Sequence, residues 1–133
     1  MENLSKKEFG KEFVQTFDGD HSGSIQPRQT PGVLYSKAIP TPVSNPALLG
    51  WSETLANELG IAYPNEEDVK VLAGNLVTPS MYPYASCYAG HQFGNWAGQL
   101  GDGRAITLGE WQAPNGQVWE LQLKGAGRTA YSR

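Results

Sequence analysis

Residues 104–111 and 117–124 are two strand-length segments joined by Gln112-Ala113-Pro114-Asn115-Gly116, and no other stretch of the chain constrains its fold as much. An Asn-Gly pair accepts the left-handed backbone that a tight hairpin turn demands, and the proline cannot continue a central strand. Alternation along the second segment puts Trp119, Leu121 and Leu123 on one face and Val118, Glu120, Gln122 and Lys124 on the other. The apolar face needs a cover. Lys124 projects from the polar face, and in an antiparallel hairpin it reaches the same region of space as Arg104.

Helix signals provide the cover. Asn45-Pro46 reads as an N-cap followed by a proline at the first helical position, Leu48, Trp51 or Ser52, Leu55 and Leu59 make a stripe, and Gly60 is a stop, so a helix is expected over 46–59. A second short helix is expected from Asn65 as cap, with Glu66, Glu67 and Asp68 in its first turn, ending near Gly74 and Asn75. Phe9, Phe13 and Phe17 fit either a short amphipathic helix or a tail that docks its phenylalanines. Residues 26–45, with Pro27, Pro31, Pro40 and Pro42, read as an extended arm with a short strand within Val33–Ile39. Residues 78–89 read as irregular chain packed on the domain. The expected fold is α+β: a small antiparallel sheet containing the 104–124 hairpin, with two short helices. Residues 1–27 are expected to be an N-terminal tail and residues 28–133 one domain, of a size that buries a core without staples.

Charge narrows the class of ligand. Residues 1–100 hold ten acids and six bases, a balance of −4, while residues 101–133 hold Asp102, Glu110 and Glu120 against Arg104, Lys124, Arg128 and Arg133, a balance of +1. That excess is too small to hold a nucleic-acid backbone and suits one small phosphorylated ligand. The single cysteine, Cys87, excludes an intrachain disulfide and fits a reducing compartment; among apolar neighbours it reads as a small buried residue. No apolar run reaches membrane-spanning length, and the N-terminus has no signal-peptide pattern, so a cytoplasmic protein without membrane or nucleic-acid partners is expected.

Two glycine clusters stand near the basic residues. Gly101-Asp102-Gly103-Arg104 precedes the first hairpin strand, and Gly125-Ala126-Gly127-Arg128 follows Lys124. Glycines let backbone approach phosphate oxygens, and Arg and Lys neutralise them, which is the logic of a protein-kinase N-lobe. The literal kinase and Walker A patterns are absent. The 18–24 cluster resembles a calcium loop but lacks its glycine at position six and its late glutamate. His91 reads as a hydrogen-bonded structural histidine, and Phe93 and Trp96 as core.

Together YAGHQFGNWAGQLGDGRAITLGE, WELQLKGAGRTAYSR and the upstream RQTPGVLYSKAIPTPVSNPALLGWSETLANELG closely resemble the selenoprotein O family, the YdiU-type proteins. The resemblance covers most of residues 28–133. It implies a pseudokinase fold, of which this chain would be part of an N-lobe, and transfer of AMP, or UMP, from a nucleoside triphosphate to Ser, Thr or Tyr of protein substrates, with ATP bound in flipped orientation alongside Mg²⁺. It implies that Gly101, Gly103 and Arg104 are glycine-turn nucleotide contacts and that Lys124 is the strand lysine. The catalytic aspartate, the metal ligands and the C-terminal part of the domain are implied downstream of Arg133, so catalysis by the 133 residues alone is not expected, nor is a tightly bound cofactor. A non-catalytic binding or interaction domain, with GDGR and KGAG as simple turns, is the alternative. Ala130 departs from the family's usual proline in TPYSR, a difference in local turn rigidity.

Overall fold

The computed structural model describes residues 1–133. In chain order the elements are α1 (Glu12–Thr16), β1 (Gly19–Asp20), β2 (Tyr35–Lys37), α2 (Glu53–Leu59), α3 (Glu66–Ala73), β3 (Tyr84–Gln92), β4 (Asn95–Gly101), β5 (Ala105–Gln112) and β6 (Val118–Lys124). The architecture is α+β, compatible with part of a kinase-like N-lobe. The sheet runs β1-β2-β3-β5-β6, with β4 paired to β3 off this path. Only β1 and β2 are parallel, so the sheet is mixed where the sequence suggested purely antiparallel strands.

The β5–β6 hairpin forms as expected, pairing Gln112 with Val118 and Ala105 with Lys124. Gly116 takes φ 85° in its turn, and Asn115 accepts from the Gln117 amide with its side chain. A bulge near Leu108 bends β5, and Gly109 there lies so close to Phe9 and the Gly10 carbonyl that a Cβ would sit 2.9 Å from that oxygen. Leu108, Trp111 and Leu123 form the main core with Leu4, Phe9, Ala56, Leu59 and Val71. Trp111 is fully buried and donates its indole N–H to the Leu59 carbonyl at 2.7 Å, tying hairpin to helix.

The N-terminal segment combines both expectations. Phe13 lies in the short helix α1 and stacks on Tyr84 at 5.2 Å, while Phe9 packs edge-on against Trp111 at 5.7 Å. The second helix is as read: Asn65 and Asp68 form a reciprocal capping box, and Gly74 ends α3 in the left-handed conformation.

The first helix is shorter than the 46–59 expected. It begins at Glu53, capped by Ser52, whose hydroxyl accepts from the Leu55 amide, and Gly60 stops it at φ 74°. Asn45 takes φ 51° and does not act as a cap. Two Asn75 hydrogen bonds hold Val43 in the extended arm, and Leu49 is 99% exposed, so residues 46–50 lack the packing that would reward an apolar helical stripe.

Residues 84–89 are also corrected, from irregular chain to strand. Tyr84, Ala85 and Ser86 pair with β2, and Tyr84 pairs with Thr107 of β5. Beyond Ser86 the strand leaves the sheet and pairs only with β4, making an arm closed by Phe93 and Gly94, both at positive φ. No helix is long and apolar enough to cross a membrane.

Candidate functional site

The hairpin register sets the site. Because Ala105 pairs with Lys124, the end of β6 lies beside the turn that links β4 to β5, and the Gly125 amide donates to the Arg104 carbonyl at 2.7 Å. Gly101, Gly103, Arg104 and Lys124 line one open pocket of about 640 Å³. Tyr88, Asp102, Arg128, Tyr131, Ser132 and Arg133 line it too.

The glycine turn is built from behind. Thr129 donates its hydroxyl to the Asp102 carbonyl at 2.6 Å, and Ser132 donates its hydroxyl to the Gly103 carbonyl at 2.5 Å. The Asp102 amide donates to the Ser86 carbonyl at 2.9 Å. A Cβ on Gly101 would fall 2.4 Å from the Tyr131 ring, and one on Gly103 would fall 2.8 Å from the Tyr131 carbonyl oxygen. Neither glycine has a positive φ, so close packing of the 129–132 segment is what excludes a side chain at both positions. With both carbonyls occupied, the amides of Gly103 and Arg104 still have no acceptor within the chain.

The pocket's electrostatics are one-sided. Arg104, Lys124, Arg128 and Arg133 are exposed there, and none joins the chain's three ion pairs, Lys7–Glu2, Arg28–Asp20 and Lys70–Glu67. Arg133 donates to the Gln92 side chain at 3.2 Å; the other three cationic side chains donate to nothing in the chain. The one carboxylate lining the pocket is Asp102, which accepts from the Ser86 amide at 3.3 Å and from the Gln122 amide at 3.5 Å. Burial pushes the Tyr131 hydroxyl up to about 12, and it hydrogen-bonds Thr30 at 2.8 Å, so it stays protonated near neutrality. Unpaired cations lining one concavity together with a glycine turn whose amides are free are suited to bind phosphate oxygens.

Sequence reading placed Arg128 in the second glycine cluster without giving it a contact of its own, and it missed Thr129 and Ser132. A Thr-x-x-Ser spacing just after a glycine-rich turn was the available sign, since such hydroxyls cap nearby backbone groups. Other candidates lie elsewhere. The His91 side chain makes no hydrogen bond, correcting its reading as a hydrogen-bonded structural histidine, and sits edge-on to Trp96 at 5.1 Å on the β3–β4 arm. Phe93 is 97% exposed and Trp96 62% exposed, correcting their reading as core: both belong to the arm that leaves the sheet, where no second layer covers them. Cys87 is half-buried beside the smaller core cluster and accepts from Thr30 at 3.8 Å. In the 18–24 cluster Asp20 is held by Arg28 at 2.8 Å. No three His, Cys, Asp or Glu side chains gather as metal ligands.

Comparison with known proteins bears on this pocket. The family model for "Protein adenylyltransferase SelO" matches residues 26–133. A protein of Cytophaga hutchinsonii named protein nucleotidyltransferase YdiU is 59% identical over the whole of this chain, which covers 26% of that protein. Proteins of the same name from Nitrosospira multiformis and Aromatoleum aromaticum are 52% and 54% identical over 100% and 91% of this chain, in each case 24% of the relative. The chain thus spans about a quarter of the length of these curated relatives. With the match running through the arm, the glycine turn and the strand lysine, the chain belongs to the SelO protein adenylyltransferase family.

Proposed function

We propose that this chain supplies the phosphate-binding wall of a cytoplasmic protein nucleotidyltransferase, which moves AMP, or UMP, from a nucleoside triphosphate to Ser, Thr or Tyr hydroxyls of other proteins. The observation that carries the reading is the convergence of Gly101, Gly103, Arg104 and Lys124 on one cationic pocket in a chain whose relatives are named nucleotidyltransferases. Free amides at Gly103 and Arg104 donate to phosphate oxygens, while Arg104 and Lys124 neutralise charge and hold the nucleotide in line with an acceptor hydroxyl. Mg²⁺ arrives with ATP as part of the substrate. The residues present do not form a metal site, because Asp102 is the pocket's lone carboxylate and is already engaged, so no step is assigned to the ion here. The 133 residues by themselves bind nucleotide weakly and do not catalyse transfer, since none of their acids is placed as a general base.

A non-catalytic interaction domain is favoured by one observation: the packing of Tyr131 already requires glycine at 101 and 103. Substitution of the lysine separates the two readings. In the full-length product of the gene, Lys124→Ala should reduce transfer of label from α-labelled ATP by a factor of about 10² or more. Undiminished transfer removes the lysine from the mechanism. Failure of Mg·ATP at millimolar concentration to shift the Gly101–Arg104 amides of that protein supports the interaction domain.

A further inference from the structure

Four of the chain's ten lysines and arginines line the pocket, against one of its thirteen acids, although the chain as a whole is at −3. Arg104 and Lys124 suffice to meet one phosphate group of about two negative charges. Arg128 is a further cation, and the way it is held argues that it has a ligand of its own.

The loop that carries it is fixed on both sides. Before it, the Ala126 carbonyl accepts from the Thr41 amide at 2.8 Å, and Gly127 is wedged so close to Thr41 that a Cβ would lie 2.6 Å from its hydroxyl oxygen. Gly125 and Gly127 stand at φ 82° and 130°, conformations that few other residues accept. After it, Thr129 is fully buried with its hydroxyl on the Asp102 carbonyl. Arg128 therefore stands between two anchored residues, at fixed distance from the glycine turn, yet its own guanidinium is exposed and donates to nothing in the chain. The amides of Ala126, Gly127 and Arg128 likewise have no acceptor within the chain. An anchored backbone with free donors and a free cation is an arrangement prepared for a second anionic group.

We propose that Arg128 and the amides of Gly127 and Arg128 form a second anion subsite, which takes the pyrophosphate portion of a nucleoside triphosphate beside the contacts made by Gly103, Arg104 and Lys124. The subsite rests on the nucleotide reading of the pocket and extends it. It makes the pocket selective for ligands with more than one phosphate, because a monophosphate seated at Arg104 and Lys124 leaves Arg128 unused.

The test titrates ATP, inorganic pyrophosphate and AMP calorimetrically into the full-length product of the gene, as wild type and as Arg128→Gln, Arg128→Lys and Lys124→Ala. Arg128→Gln should weaken ATP and pyrophosphate about tenfold, the size of one charge-assisted hydrogen bond, and leave AMP within about twofold. Arg128→Lys should recover part of the loss, keeping the charge without the fork. Arg128 is exposed and makes no hydrogen bond in the chain, so an unchanged melting temperature is expected and confirms folding. Unaltered pyrophosphate affinity in Arg128→Gln, or equal weakening of AMP, overturns the subsite. If Lys124→Ala weakens all three ligands while Arg128→Gln weakens none, the subsite alone falls. If the wild type binds none of them, or Lys124→Ala leaves ATP binding intact, the nucleotide reading falls with it.

Discussion

Ala130 stands at the turn position where the resemblance led proline to be expected. It is the second residue of a turn closed by the Ser132 amide on the Thr129 carbonyl at 3.3 Å, and neither Ala130 nor Tyr131 has a positive φ, which makes the turn type I. Proline is favoured at that second position because its ring fixes the φ the turn already needs. The Ala130 amide donates to nothing in the chain, so proline would remove no hydrogen bond. Ala130→Pro is expected to raise stability by about 0.4–1 kcal/mol through the unfolded chain, measured as a higher urea midpoint with unchanged slope. The native chain holds the turn by other means, through the Thr129 and Ser132 hydroxyls and the Arg28 amide on the Ala130 carbonyl at 2.9 Å. A loss of stability in the proline variant would show that the close packing around the buried Ala130 has no room for a ring.

At the scale of elements, the β3–β4 arm is the part the sheet does not support. Its two-residue turn places Phe93 at φ 52° and Gly94 at φ 81°, a type I′ geometry in which Asn-Gly is preferred. A phenylalanine in the left-handed region costs about 1–2 kcal/mol, and at 97% exposure it recovers nothing by burial within the chain. Phe93→Asn is expected to slow hydrogen exchange of the Asn95–Gly101 amides severalfold by stabilising the arm. Exchange rates equal to the wild type would mean that the turn does not limit its opening. This arm also marks where sequence reading ran out. The β5–β6 hairpin was legible because Asn115-Gly116 and the alternation up to Lys124 agree with one another, and α3 because Asn65, Asp68 and Gly74 carry its start and stop. For β3, Pro83 and the mixture of tyrosines with small residues conceal a strand whose pairing depends on β2 and β5, distant in sequence. The start of α2 was misplaced because Asn45-Pro46 and Ser52 are both good cap signals, and tertiary contacts at Val43 decide between them. The glycine turn and the lysine could be read as neighbours from register alone. The hydroxyl clamp could not, since it depends on how residues 129–132 fold back across the sheet.

At the scale of the whole molecule, two carboxylates outside the pocket lining, Asp68 and Asp20, tie separate segments of the chain together and contribute to its response to acid. Asp68 is fully buried in α3. Burial alone would raise its pKa, but hydrogen bonds from the Ser5 hydroxyl at 2.6 Å, the Asn3 side chain at 2.9 Å, and the Ser5 and Asn65 amides outweigh this and hold it below its ordinary value of 3.8. Asp20 is held down to about 2, chiefly by its hydrogen bond from Arg28 and then by the Ser22 amide and hydroxyl. Both groups have folded pKa values below their unfolded ones. Their stabilisation is therefore complete above the unfolded value near 3.8 and is lost as pH falls from there through the folded value, about 2 for Asp20. Urea midpoints should be level from pH 7 to about 5 and fall progressively below about 4. Asp68→Asn should cost about 2 kcal/mol at pH 7, because it removes the charge around which the N-terminal segment and α3 are hydrogen-bonded. The same substitution should flatten the acid limb, since a group that binds a proton on unfolding is gone. A limb as steep in Asp68→Asn as in the wild type would assign the acid sensitivity to Asp20 and its Arg28 partner, and Asp20→Asn would then be the variant that flattens it.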